Sequence, residues 1–162
     1  MGVQLIFVVE ANKSCKSDWI YIKSTIDYFY EYNRTGLKLS PVYMDGKGKY
    51  KQKEKEVKSL ISQYSKVSKG NKSKVIYCLD CDECDSKSED LTFLKTVKKY
   101  CDDRGYDFIW FCKDVEQVYI GKRVDKSQKK NESTKFKKNN LITKVDVHRL
   151  SGRDYRIKTS NI

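Results

Sequence analysis

Val75-Ile76-Tyr77-Cys78-Leu79-Asp80-Cys81-Asp82-Glu83-Cys84-Asp85 is the stretch whose reading decides the fold. Its first five residues are mostly apolar, with β-branched and aromatic members, which suits a buried strand. Asp80 stands at the strand's end, and Asp82, Glu83 and Asp85 follow closely. In an open α/β sheet, ligands bind in the crevice outside the carboxyl ends of the strands. The run therefore predicts a cluster of carboxylates at the edge where such folds do chemistry. Carboxylates this close repel one another unless they are solvated, protonated or bridged by a cation such as Mg²⁺. Asp82 to Asp85 equally suit a solvated turn that caps the next helix, and the stretch alone leaves both readings open.

The segments on either side supply the rest of a sheet. Residues 3–9, near-continuously apolar, fit a strand covered on both faces, ending at Glu10. After the polar loop 11–16, Ser17 or Asp18 caps a helix that runs to about Tyr32, with Trp19, Ile22, Ile26 and Phe29 at helical spacing. Its Tyr and Trp residues could stack bases, but at this spacing they read first as core and its flank. Residues 37–44 predict a second strand, which Pro41 places at a sheet edge or marks as irregular. Asp45-Gly46-Lys47-Gly48-Lys49 precedes a helix from about Lys51 to Lys66. Such a loop can hold a phosphate through backbone N–H groups, although it is no Walker A motif, and a flexible basic loop is the plainer reading. A helix from Glu89 to about Asp103, a strand over 106–112 and a short helix from Gln117 to about Gly121 complete the series. The order β-α-β-α-β-α-β-(α) predicts a three-layer, Rossmann-like α/β domain, with right-handed crossovers and a mostly parallel sheet of four or slightly more strands.

Composition narrows the partners. The 162 residues fit one domain. At 38% hydrophobic and 35% charged, part of the chain is not core-forming. The net charge of +12 favours a polyanion, nucleic acid before an anionic membrane surface, with a basic tail as the bland alternative. Residues 122–140 hold eight Lys or Arg against two acids, half of that net charge, and read as a mobile basic loop. This divides the chain into a domain over 1–121, the loop, and an extension over 141–162 packed on the domain. Within the extension, 141–148 and 154–157 read as a weak strand or short helix and a tail. No segment can span a bilayer, and residues 3–9 make a poor signal peptide, so the expected compartment is the cytoplasm, with the six cysteines as thiols. The one histidine, His148, reads first as an ordinary surface or packing residue, so any catalysis would fall to carboxylates, with or without a metal.

Glu10, the pair Asp80 and Asp82, and Glu116 fall at the ends of three predicted parallel strands, and so at one sheet edge. Two or three such carboxylates can hold Mg²⁺ ions that stabilise charge in phosphoryl chemistry. Lys13, Lys16, Lys47, Lys49 and Lys113 are candidates for backbone phosphates, joined by Lys129 and Lys130 of the basic segment.

A strand ending in Glu, then a polar loop and helix, then a strand ending in Asp-x-Asp, resembles the Toprim domain of topoisomerases, primases and OLD-family nucleases. More narrowly it resembles the RloB-like proteins of bacterial defence and abortive-infection systems. The matching segments are Phe7-Val8-Val9-Glu10-Ala11-Asn12-Lys13-Ser14, Asp45-Gly46-Lys47-Gly48, Asp80-Cys81-Asp82 and 111–119, within roughly residues 3–121. The chain departs from those families in having Glu10-Ala11 where Glu-Gly is common, and in lacking Ser-Asn-Pro near Glu116. The resemblance implies a Toprim-like fold and a Mg²⁺- or Mn²⁺-dependent nuclease or nuclease-like subunit, with a defence role in a bacterium or phage. Glu10 would be a metal or general-base carboxylate, Asp80 and Asp82 metal ligands, and Glu116 an accessory metal-site acid. It also suggests a partner ATPase or other subunit, since the chain is short for a nuclease with its own substrate domain.

Two rivals remain. Cys78, Cys81 and Cys84 have CxxCxxC spacing and, with Cys15, Cys101 or Cys112, could bind zinc or an iron–sulfur cluster. Against this, Cys78 lies inside the strand and the intervening acids suit a hard cation. Alternatively the chain is a non-catalytic α/β subunit that binds nucleic acid or protein. A receiver-like phosphoacceptor is disfavoured because Glu10 stands alone after the first strand.

Overall fold

A computed structural model of the chain describes residues 1–150. Four strands, β1 (Val3–Val9), β2 (Leu37–Tyr43), β3 (Lys72–Asp80) and β4 (Asp107–Phe111), form one parallel sheet in the order β2-β1-β3-β4. The helices are α1 (Ser17–Phe29), α2 (Glu54–Val67), α3 (Ser88–Asp102), α4 (Val115–Ile120) and α5 (Lys129–Lys138). Successive strand residues face opposite sides. Phe7, Val9, Ile76 and Cys78 therefore pack with Tyr21 and Ile22 of α1, Tyr119 of α4 and Phe136 of α5. Ile6, Val8, Val75, Tyr77 and Leu79 pack on the other face with Val57 of α2 and Val97 and Tyr100 of α3. The three-layer α/β class expected from the sequence is thus the observed one, with Pro41 on an edge strand.

Several expectations are corrected. Helix α1 ends at Phe29, not near Tyr32. Neither Ser17 nor Asp18 caps it; Lys16, in the left-handed region at φ 57°, precedes it without a side-chain cap, and both Ser17 and Asp18 are buried. Tyr21 is fully buried while Phe29 is 43% exposed, because α4 and α5 cover the flank of α1 that carries Tyr21 and Thr25. Residues Lys47–Lys53 form a 3-10 turn, so α2 begins at Glu54. Helix α4 starts at Val115, where Asp114 accepts a hydrogen bond from Gln117 N–H at 2.8 Å. Residues 122–140 are not loop throughout. They carry α5, docked through buried Ser133 and Phe136, with Phe136 against Tyr21 at 4.8 Å between ring centres. Residues 141–148 form no strand; 3-10 turns span Leu141–Lys144 and Val147–Arg149, with Ile142 and Leu150 buried. The expected tail at 154–157 lies outside the described residues. Among the described residues no helix is long and apolar enough to cross a membrane.

Candidate functional site

The strand order decides where a site can form. From β1 the chain goes outward to β2, then returns to the other side of β1 to make β3. The switch point of the sheet therefore lies between β1 and β3, the place where open α/β sheets bind ligands. In register, Val9 pairs with Cys78, so Glu10 leaves the sheet beside Leu79, one residue short of Asp80. The N–H of Asp80 donates to Glu10 Oε2 at 3.3 Å, and the N–H of Val115 donates to Asp80 Oδ1 at 2.9 Å. Asp80 thus also ties β3 to the start of α4.

The loop after β1 completes the wall. Asn12 Oδ1 accepts from the N–H groups of Ser14 and Cys15, at 3.1 and 2.8 Å, an Asx turn that folds the loop back toward α1. This carries Asp18 under the loop, where it accepts from Ala11 N–H at 2.8 Å and Ser17 hydroxyl at 3.2 Å. The loop after β2 runs alongside, with Gly46 N–H donating to Glu10 carbonyl oxygen at 3.1 Å. Gly46 sits at φ 111°, a conformation a side chain resists. The result is an open cleft of about 570 Å³ whose lining includes Glu10, Asp18 and Asp80 together with Lys126, Lys129 and Lys130.

Behind the cleft lies Glu116, fully buried on α4. Lys129 Nζ stands 3.0 Å from its Oε2, while Oε1 and the nearby buried Tyr21 hydroxyl have no hydrogen-bond partner among the described residues. Four carboxylates therefore share a poorly solvated space, with Lys129 acting on three of them and Lys47 on Glu10. Burial, reinforced by the charges of Asp18 and Asp82, pushes Glu10 up to about 7, against the opposing pull of Asp80 N–H and Lys47. Burial and the charges of Glu10 and Asp18 raise Asp80 well above the usual carboxylate range. Burial raises Asp18 and Glu116 as well, with Lys129 opposing in both cases. Burial alone would lower Lys129, but Asp80, Glu116 and Asp18 together raise it.

The expected constellation is only partly assembled. Glu10 and Asp80 meet, and Glu116 joins them from behind. Asp82 does not share their cleft. The strand ends at Asp80, and Asp82, at φ 50° and bridged to Lys113, turns into a neighbouring cleft with Lys113, Asp114 and Arg123. There it pairs with Lys47, though its charge still reaches Glu10. Of the expected basic residues, Lys129 and Lys130 line the acid cleft, Lys49 pairs with Asp45 at 3.1 Å, and Lys13 and Lys16 are exposed on the β1–α1 loop outside the lining. Asp18 was legible only as a helix cap, and Lys126 only as one charge in a basic run. An acid in the first turn of the helix after a strand that ends in Glu was the available signal for Asp18.

The cysteine motif does not converge. Cys78 packs under the α1 side of the sheet, whereas Cys81 and Cys84 meet Cys112 in a separate cluster beside Trp110. Hydrogen bonding to Cys112 and burial push the Cys81 thiol up, which keeps it neutral and a poor nucleophile. None of the six cysteines is in a disulfide.

Among the described residues no three Asp, Glu, His or Cys side chains stand as a ready metal-ligand set. Mg²⁺ is, however, commonly held by one or two carboxylates, with water and substrate phosphate filling the remaining positions. The hard oxygens of Glu10 and Asp80 at one cleft wall, with an undonated buried oxygen on Glu116 behind them, fit that mode. No protein-family model, curated protein or solved structure matches this chain.

Proposed function

We propose that the Glu10–Asp80 cleft hydrolyses phosphodiesters of nucleic acid with the help of Mg²⁺ or Mn²⁺, which makes the chain a nuclease or the nuclease subunit of a larger assembly. The observation that carries this reading is the meeting of Glu10 and Asp80 at the sheet's switch point, in a cleft also lined by Lys126, Lys129 and Lys130. A cation bound there would supply charge stabilisation to the phosphate and to the attacking and leaving oxygens. Asp80 is the better ligand candidate, because the N–H of Val115 fixes its orientation. Glu10, raised to about 7, is suited to take a proton from an attacking water near neutral pH. Lys126 and Lys130, both exposed, are placed to hold the phosphates of an extended strand. The Toprim and RloB-like resemblance of the sequence supports a nuclease in bacterial or phage defence, acting with a partner ATPase. A cytoplasmic site agrees with six cysteines outside any disulfide. The second reading, a non-catalytic subunit that binds nucleic acid or protein, rests on the ammonium of Lys129 already standing within the acid cluster.

The test is cleavage of labelled single- and double-stranded DNA and RNA with Mg²⁺, Mn²⁺ or EDTA. Glu10→Gln and Asp80→Asn keep the hydrogen-bond acceptors that the fold uses, whereas Asp80→Ala would leave the buried Val115 N–H without its partner. Metal-dependent cutting, lost by a factor of about 100 or more in both variants, is the expected result, on the scale of a lost acid–base group. Equal cutting by wild type and both variants would remove the site assignment. Salt-sensitive binding with no cutting by any of the three proteins would favour the binding subunit.

A further inference from the structure

We propose that Lys129 is a built-in counter-ion of the acid cluster, so that loading a divalent cation at Glu10 and Asp80 competes with Lys129 and loosens the first turn of α5. The inference rests on the metal-dependent reading above and adds a control element to it.

The first observation is geometric. Lys129 Nζ is 3.0 Å from Glu116 Oε2, on a carboxylate that is fully buried and has no donor at its other oxygen. Asp80, Glu116 and Asp18 all act on this one ammonium. Lys129 serves three of the four carboxylates and Lys47 acts on Glu10 while paired with Asp82, so the cluster is short of positive charge. A divalent cation is the means of supplying it without taking up protons. At the distances within one cleft, such a cation and the Lys129 ammonium repel each other in a weakly screened space.

The second observation concerns the helix itself. Lys129 is the first residue of α5, and Lys130 follows it. Two cations in a first turn oppose the helix dipole, which favours acids there. Gln128, which precedes the helix, provides no side-chain cap. Glu132 is the one acid in that turn, and it follows the two lysines instead of preceding them. The buried docking residues, Ser133 and Phe136, come a turn or more later. Besides the Glu132 N–H bond to the Gln128 carbonyl and the Glu132–Lys122 ion pair, the first turn is tied to the acid cluster by Lys129, so what binds the cluster also acts on the turn. A released Lys129 would remain beside Lys126 and Lys130 on the cleft wall, where a substrate phosphate is its next available counter-ion.

The experiment is Mn²⁺ binding to the full chain, followed by the electron paramagnetic resonance signal of free Mn²⁺, for wild type, Lys129→Met and Lys129→Arg. Removing the competing charge should tighten Mn²⁺ binding by roughly tenfold or more in Lys129→Met, while Lys129→Arg stays near wild type. Hydrogen exchange of wild type supplies a readout that needs no variant to fold. Amides of Glu132 and Ser133, the first with helical acceptors, should exchange faster as Mn²⁺ loads, with those of β1 and β3 unchanged. Equal or weaker Mn²⁺ binding by Lys129→Met, or first-turn exchange indifferent to Mn²⁺, overturns the counter-ion role and leaves the metal-dependent reading standing. No Mn²⁺ binding by any of the three proteins at millimolar concentration overturns both.

Discussion

Glu10 carries a pH-dependent cost to stability. Asp18 and Asp80 line its cleft, the charge of Asp82 reaches it from the neighbouring one, and Lys47 and the Asp80 N–H oppose them. Its folded-state value of about 7 lies above the ordinary 4.5. Below pH 4.5 the group is protonated whether the chain is folded or not, and it costs nothing. Between pH 4.5 and 7 the folded chain holds the proton more tightly, so stability falls as pH rises. Above pH 7 the full penalty is present. At 1.36 kcal/mol per pKa unit, that penalty is at most about 3–4 kcal/mol. Metal-free Glu10→Gln should therefore be more stable than wild type above pH 7 and no more stable below pH 4.5. Urea unfolding in EDTA across pH 4–8 checks this. A gain independent of pH would mean that the side chain acts through packing rather than charge.

At the scale of elements, the strands were legible and one helix was not. Residues 3–9 and 75–80 declare themselves by apolar runs that both helix layers cover, and the acids at their ends follow from the strands. Helix α5 carries five lysines in ten residues and only one large apolar side chain, so its sequence shows no amphipathic stripe. Its formation rests on tertiary contact. Phe136, fully buried, packs edge-on against Tyr21 at 4.8 Å and Tyr119 at 5.8 Å. The ion pair of Lys129 with Glu116 spans segments that sequence spacing cannot relate. The turn at Asp82 hides in the same way, because alternation along a strand stops informing once the strand ends. If one side chain docks α5, then Phe136→Ala should cost about 3–5 kcal/mol, the usual range for a buried aromatic. The expected signature is a lowered denaturation midpoint with residues 129–138 exchanging first. A loss below about 1 kcal/mol would show that α5 is held at its N-terminus instead.

For the whole molecule, the question is where a chain of net charge +12 would place a polyanion. The charge is not uniformly available. Lys47, Lys49 and Lys129 are committed to Asp82, Asp45 and Glu116. Lys126 and Lys130 are exposed on the cleft wall, and no acid is paired with either among the described residues. Lys137 and Lys138, also exposed, extend the basic surface along α5 away from the cleft. Each lysine that neutralises a phosphate contributes about 0.7–0.9 to the slope of log affinity against log salt. If a strand enters the cleft, Lys126→Ala with Lys130→Ala should flatten that slope by about 1.5, and Lys137→Ala with Lys138→Ala should leave it nearly unchanged. Fluorescence anisotropy of a labelled oligonucleotide between 50 and about 200 mM salt measures both pairs. The reverse pattern would place the polyanion on the outer side of α5, away from Glu10 and Asp80. It would then be the binding subunit, rather than the nuclease, that the charge distribution serves.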